Sequence, residues 1–263
     1  MGQRIVTGVV AGAIFIGLLV AGGWYYNSLL LIMALIGYWE FARLNGQAWT
    51  RPDVLFGFAA VLLIALPGLP FEGKLPSFEA VVWLLLFALL AATVISKNRI
   101  QLENAGVLFL GAVYIGMGFH YMAATRELEQ GVFWSALLFA CIWASDAGAY
   151  FVGKAIGRTK LWPSISPNKT VEGAIGGLAI AVGIALVFAY AQPEWLGYGR
   201  AALIGLTAAI AGQLGDLIQS AYKRFRGVKD SGGLLPGHGG VLDRTDSWLI
   251  VFPFVHLLGL LAG

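Results

Sequence analysis

Residues 199–220, GRAALIGLTAAIAGQLGDLIQS, are almost wholly apolar and run without a break into AYKRFRGVKDSGGLLPGHGGVLDRTD, residues 221–246. As a helix rising about 1.5 Å per residue, the first piece can cross the roughly 30 Å of bilayer hydrocarbon. In lipid the backbone must satisfy its own hydrogen bonds, so a helix is the assignment for a run of that length. The second piece is opposite in character, with Asp, Lys, Arg, one His and several glycines, and another apolar run follows from residue 247. Packing of helices in lipid does not require such an island. The fold class that follows is an all-α integral membrane protein whose helices hold a charged loop at the bilayer surface.

The whole chain agrees with that reading. It is 59% hydrophobic and 12% charged, with a mean hydropathy of +0.78; an average chain carries roughly 25% charged residues. Nine segments offer a span: 5–22, 24–44, 54–71, 79–96, 105–124, 132–152, 173–192, 199–220 and 247–262. The first resembles a signal peptide in its flanks, but its apolar run is a full span and reads as a retained helix. Gly22-Gly23 predicts a tight turn and an antiparallel pair. With the N-terminus inside, every Lys and Arg of the 17 except Lys74, Arg126 and Arg200 falls on the inner side. That is the positive-inside pattern, and it puts the C-terminus outside. The net charge of +3 thus reports orientation and gives no reason to expect a nucleic-acid partner. A single Cys, Cys141, permits no disulfide within the chain. Cys141, His120 and His256, each alone in an apolar run, read as packing residues, and Glu40 reads as the local i,i+3 partner of Arg43.

The chemistry concentrates in two inner loops, 145–177 and 216–246. Residues 1–104 then read as scaffold and 105–263 as the catalytic region. In the first loop Asp146 sits inside an apolar helix, where an ionised Asp costs on the order of 3 kcal/mol, so it should face a polar cavity or a partner. Asp146, Tyr150, Gly153 and Gly157 share one helical face, and Gly153 with Gly157 makes a GxxxG. Further on, Ser166 and Thr170 can cap a helix start, where free N–H groups attract phosphate, and Lys169 adds positive charge. In the second loop Asp216, Ser220 and Lys223 share a face, as Asp243 and Asp246 do if helical. Carboxylates from two helix ends can converge on Mg2+, which keeps water or substrate phosphates in its remaining positions. Lys223, Arg224, Arg226 and Lys229 suit phosphate, and the glycines let backbone approach a ligand. Metal, cations and phosphate at one face suit phosphoryl or nucleotidyl transfer.

Two motifs carry a resemblance. Ser220-x-x-Lys223-Arg224 with Lys229-Asp230, followed by Pro236-x-His238-Gly239-Gly240-x-x-Asp243-Arg244-x-Asp246, resembles the signature of the phosphatidate cytidylyltransferases, or CDP-diacylglycerol synthases. Ser166-Pro167-Asn168-Lys169-Thr170-x-Glu172-Gly173 resembles a second block of that family. The resemblance implies that CTP and phosphatidate give CDP-diacylglycerol and pyrophosphate, with a phosphate oxygen of the lipid attacking the α-phosphorus of CTP. It implies Asp216, Asp243 and Asp246 as ligands of Mg2+, alone or with a second cation. Lys223, Arg224, Lys229 and Arg244 would neutralise phosphates, and Ser166, Asn168, Lys169 and Thr170, with Glu172 and Ser220 beside them, would position substrate. Asp230 either binds metal or orients Lys229, and His238 would donate to a phosphate. Asp146 is a metal contact, a nucleotide contact or a structural polar group. The setting implied is a bacterial inner membrane with the site on the cytoplasmic side, and GxxxG-like faces leave room for a homodimer. A CTP-dependent lipid kinase would instead release CDP, a CDP-alcohol phosphotransferase would need a DG-x-x-AR block that is absent here, and a transporter would carry mid-membrane charge on repeated halves.

Overall fold

The computed structural model describes residues 2–65, 76–233 and 239–261, with side chains from residue 8 onward. The chain forms two compact units, one of residues 1–124 with 230–244, the other of 125–229 with 245–263. Among the described residues, five helices are long and apolar enough to cross a membrane, and shorter apolar helices accompany them.

The first unit carries helices Gly2–Ala21 (α1), Gly23–Leu44 (α2), Pro52–Ala65 (α3), Phe78–Ile95 (α4) and most of Leu102–Glu127 (α5). Gly22 and Gly23 take φ of 66° and 51°, left-handed values that glycine adopts freely, and so join α1 to α2 in the tight turn the sequence predicts. On α2, Tyr26, Leu30, Ala34 and Tyr38 are buried at every fourth position, which makes one stripe along the helix. On α5, Ala105, Leu108, Ala112, Ile115, Phe119 and Met122 recur at threes and fours. A Cβ at Gly57 would collide with the Tyr38 ring, and one at Gly111 with Phe41, so small residues set these helix approaches. α4 leaves Trp83, Phe87 and Val94 exposed, as a lipid-facing helix does. At the start of α3, Arg51 clasps the fully buried Asp53 through both carboxylate oxygens, at 3.0 and 2.8 Å.

The second unit contains Gly131–Ile156 (α6), the strands Lys160–Trp162 (β1) and Ser166–Thr170 (β2), Val171–Ala191 (α7), Tyr198–Phe225 (α8) and, after the single turn Leu242–Thr245 (α9), Trp248–Leu257 (α10). α7 buries Gly173, Gly177, Ala181, Ala185 and Ala189, a four-residue repeat of small side chains. Gly173 lies against Ala149 and Gly153 of α6, Gly177 against Ser145, and Gly205 of α8 against Ala181 and Val182. Backbones close this tightly gain dispersion contact that side chains would block. Ser247, just before α10, donates its hydroxyl to the Gly212 carbonyl at 3.1 Å. Phe139 of α6 meets Trp248 and Phe252 at ring distances of 4.9 and 5.0 Å.

Several expectations change. The fold is not purely helical, because β1 and β2 pair antiparallel, with Lys160 opposite Thr170 and Trp162 opposite Ser166. Ser166–Thr170 is therefore extended; Ser166 caps no helix, while Thr170 caps the helix that starts at Val171, as the sequence allows. Asp243 and Asp246 do not share a helical face: α9 ends at Thr245, and Asp246 lies in the turn after it. Gly157 has left the helix as an extended C-cap, so the Gly153/Gly157 pair is not a helical GxxxG; both residues lie against Thr170. Glu40 does not serve Arg43, whose guanidinium instead stands 5.4 Å over the Trp39 ring. The segment expected at 54–71 is helical to Ala65, beyond which residues 66–75 lie outside the described residues. His120 and His256 are packing residues with satisfied rings, on the Ile64 carbonyl at 2.9 Å and the Thr125 hydroxyl at 2.7 Å. The Cys141 thiol is buried and donates to the Ala181 carbonyl.

Candidate active site

In the second unit α6, β2 and α8 converge on a cavity of about 390 Å³. Asp146, Tyr150 and Gly153 reach it from one face of α6, Asn168, Lys169 and Thr170 from β2, and Gln213 and Asp216 from α8. The local causes are clear. Thr170 caps α7 by accepting the Gly173 N–H at 3.1 Å, which fixes the end of β2. Extended backbone then alternates its side chains, so that Lys169 reaches Asp216 on α8, 2.5 Å from ammonium to carboxylate. Ser220, one turn along α8, donates to the other Asp216 oxygen at 3.3 Å. Gln213 spans to the Ala174 carbonyl at 3.1 Å and the Ser145 hydroxyl at 3.4 Å.

Asp246 adds a third aspartate to this unit. Burial first, then the neighbouring Asp216 carboxylate, pushes its carboxyl up to about 7, against a hydrogen bond from the Ser247 N–H and the pull of Lys223; Asp146 adds a further like charge. Mutual repulsion among carboxylates is what a bound cation relieves. Among the described residues no three His, Cys, Asp or Glu stand close enough for a complete metal shell. Mg2+ asks for less, since it is held by one or two carboxylates with substrate phosphates completing its coordination. Asp216 and Asp246 fit that donor set, with Asp146 as the third acid of the group.

The remaining expected residues separate by role. Glu172 accepts the N–H groups of Arg158 and Thr159 at 3.1 Å each, which ties the end of α6 to the start of α7. Ser166 pairs with Trp162 in the hairpin. Arg224 donates to the Val228 carbonyl at 3.3 Å, closing the end of α8. Lys229, Asp230 and Arg244 are exposed. His238 lies outside the described residues.

In the first unit Asp243 works inside its own loop. One of its oxygens accepts the Ser231 N–H at 2.7 Å, the Ser231 hydroxyl at 2.9 Å and the Gly240 N–H at 2.9 Å. Gly239, at φ 82°, leaves no room for a Cβ beside that carboxylate. Beside it sits Glu40, which local spacing in the sequence had assigned to Arg43. Its fully buried carboxylate accepts the Val241 and Leu242 N–H groups at 3.0 Å each and the Ser231 hydroxyl at 3.2 Å. The available signal was a carboxylate within an otherwise apolar helix, which is costly without partners. Gly232 and Gly240 also lie against Glu40, so these glycines make room for the protein's own carboxylate.

The cytidylyltransferase family model matches residues 2–262. A phosphatidate cytidylyltransferase of Bacillus subtilis (strain 168) is 41% identical over 98% of this chain and 97% of its own length. One of Staphylococcus haemolyticus (strain JCSC1435) is 37% identical over 98% of each chain. Another, from Staphylococcus aureus (strain COL), is 36% identical with the same coverage.

Proposed function

The chain belongs to the cytidylyltransferase family, and from that premise we infer that it transfers a cytidylyl group from CTP to phosphatidate, giving CDP-diacylglycerol and pyrophosphate. It is a membrane-associated nucleotidyltransferase of phospholipid biosynthesis. The observation that best supports the reading is the cavity in which Lys169 meets Asp216, with Asp146 and Asn168 on its walls. In this reaction an oxygen of the lipid phosphate forms a bond to the α-phosphorus of CTP, and the bond from that phosphorus to the bridging oxygen breaks as pyrophosphate leaves. Lipid phosphate is already an anion near neutral pH, so the main task is to bring two polyanions together. Lys169 positions the triphosphate, and Lys223, Arg224 and Lys229 neutralise phosphate charge. Asp230, His238 and Arg244 keep the roles that the family signature implies.

In this reading Asp216 and Asp246 would hold Mg2+, alone or with a second cation, with Asp146 as a further acid of the same unit. When bound, Mg2+ would supply neutralisation of charge on the triphosphate and on the departing pyrophosphate. The chain crosses a bacterial inner membrane nine times with the N-terminus inside, so the site faces the cytoplasm, where CTP is made. A homodimer is compatible with this arrangement.

Purified protein in detergent, given CTP, Mg2+ and phosphatidate, should release pyrophosphate and form CDP-diacylglycerol, with CTP preferred over other nucleoside triphosphates. Folded protein that releases none overturns the reading. Release of CDP with a phosphorylated lipid product would make it a lipid kinase instead.

A further inference from the structure

We propose that Glu40 is a positioning residue for the transfer reaction: from the second helix of the chain it fastens the two described ends of the loop at 230–244, at Ser231 and at Val241 and Leu242. Its carboxylate gathers donors from both ends of that loop, the Ser231 hydroxyl at 3.2 Å and the Val241 and Leu242 N–H groups at 3.0 Å each. Asp243 closes the same knot, because the single Ser231 hydroxyl hydrogen is shared between the two acids, with oxygens at 3.2 Å on Glu40 and 2.9 Å on Asp243. Glu40 is fully buried, and it sits where a Cβ on Gly232 or Gly240 would collide with it. A buried carboxylate with three donors is a high-cost arrangement that persists only when every partner is in place. Its removal would leave the Val241 and Leu242 N–H groups without their acceptor. The residues it fixes adjoin Asp230 and Arg244, two residues of the family signature that the carboxylate does not itself touch. Its effect on the reaction is therefore exerted through the loop.

The consequence for activity rests on the proposed transfer reaction, whereas the consequence for the loop does not, so both are measured. Hydrogen–deuterium exchange on the full-length protein reads the loop directly. Glu40→Ala should speed exchange of the Val241 and Leu242 amides by at least about tenfold, while Glu40→Gln, which keeps one acceptor oxygen, should restore part of the protection. In the pyrophosphate assay Glu40→Ala should lower kcat by roughly ten- to a hundredfold, the scale expected when groups are misplaced by about an ångström, and change KM for CTP by less than about threefold.

A double-mutant cycle separates positioning from general damage. Gly240→Ala alone should reproduce the Glu40→Ala defect, because its methyl takes the carboxylate's place. In the Glu40→Ala background, with that space vacated, Gly240→Ala should add little. Unchanged exchange at 241–242 in Glu40→Ala overturns the tether. Equal loss of kcat in every variant in proportion to lost thermal stability, or additive effects of the two substitutions, overturns the positioning role. Absence of pyrophosphate release by the wild-type protein overturns the transfer reaction and leaves the exchange result to decide the tether.

Discussion

Three acids that look alike in the sequence do different work. Asp216 meets Lys169 at the cavity wall, Asp246 is half-buried and feels the like charge of Asp216 and Asp146, and Asp243 organises its own loop with three donors on one oxygen. Asp216→Asn and Asp246→Asn should therefore abolish turnover or shift its Mg2+ dependence to much higher concentration, read by titrating Mg2+ in the pyrophosphate assay. Asp243→Asn should also lose turnover, but with faster exchange at Ser231 and Gly240 and without a Mg2+ shift that added metal can rescue. Lys169→Ala should raise KM for CTP roughly tenfold while leaving KM for phosphatidate near its original value, as measured by varying each substrate separately. Lys169, Thr170 and Asp216, which the fold brings to one cavity, were singled out in the sequence, the first two for a cation and a cap before a helix start and Asp216 as an acid at the end of an apolar run. Glu40 was not, because its partners follow it by 191 to 202 residues. A reading confined to local spacing offered Arg43 instead, which stacks on Trp39.

At the scale of elements, the helices were legible to within a few residues, since a long apolar run in lipid has one backbone solution. The hairpin was not: β1 has three residues and β2 five, too short for a period of two to stand out, and Ser, Asn and Thr in β2 read equally well as caps. The contact of α7 with its neighbours depends on small residues placed at fours, and this can be tested. Gly205→Leu forces a side chain against the α7 backbone at Ala181 and Val182 and should destabilise the protein by about 1–3 kcal/mol, seen as earlier unfolding in detergent. Gly183→Ala on α7 meets nothing within 4 Å, so it should be neutral or gain about 0.5–1 kcal/mol from helix propensity.

At the scale of the whole molecule, the proposed nine-span, N-inside arrangement predicts which surfaces face which compartment. Cys141 is the sole cysteine, so Cys141→Ala gives a cysteine-free background. In that background Glu194→Cys should react with a membrane-impermeant maleimide added outside intact cells, and Arg158→Cys only after permeabilisation. The opposite pattern would invert the orientation, and labelling of both from outside would break the span count. One further consequence concerns time. Glu40 is added to the growing chain about two hundred residues before Ser231, Val241 and Leu242. At synthesis rates of roughly 5–20 residues per second, that gap is roughly 10–40 s. The second helix must therefore enter the bilayer carrying an acid long before its final donors are made. That places the closing of this contact among the last events in the birth of the protein.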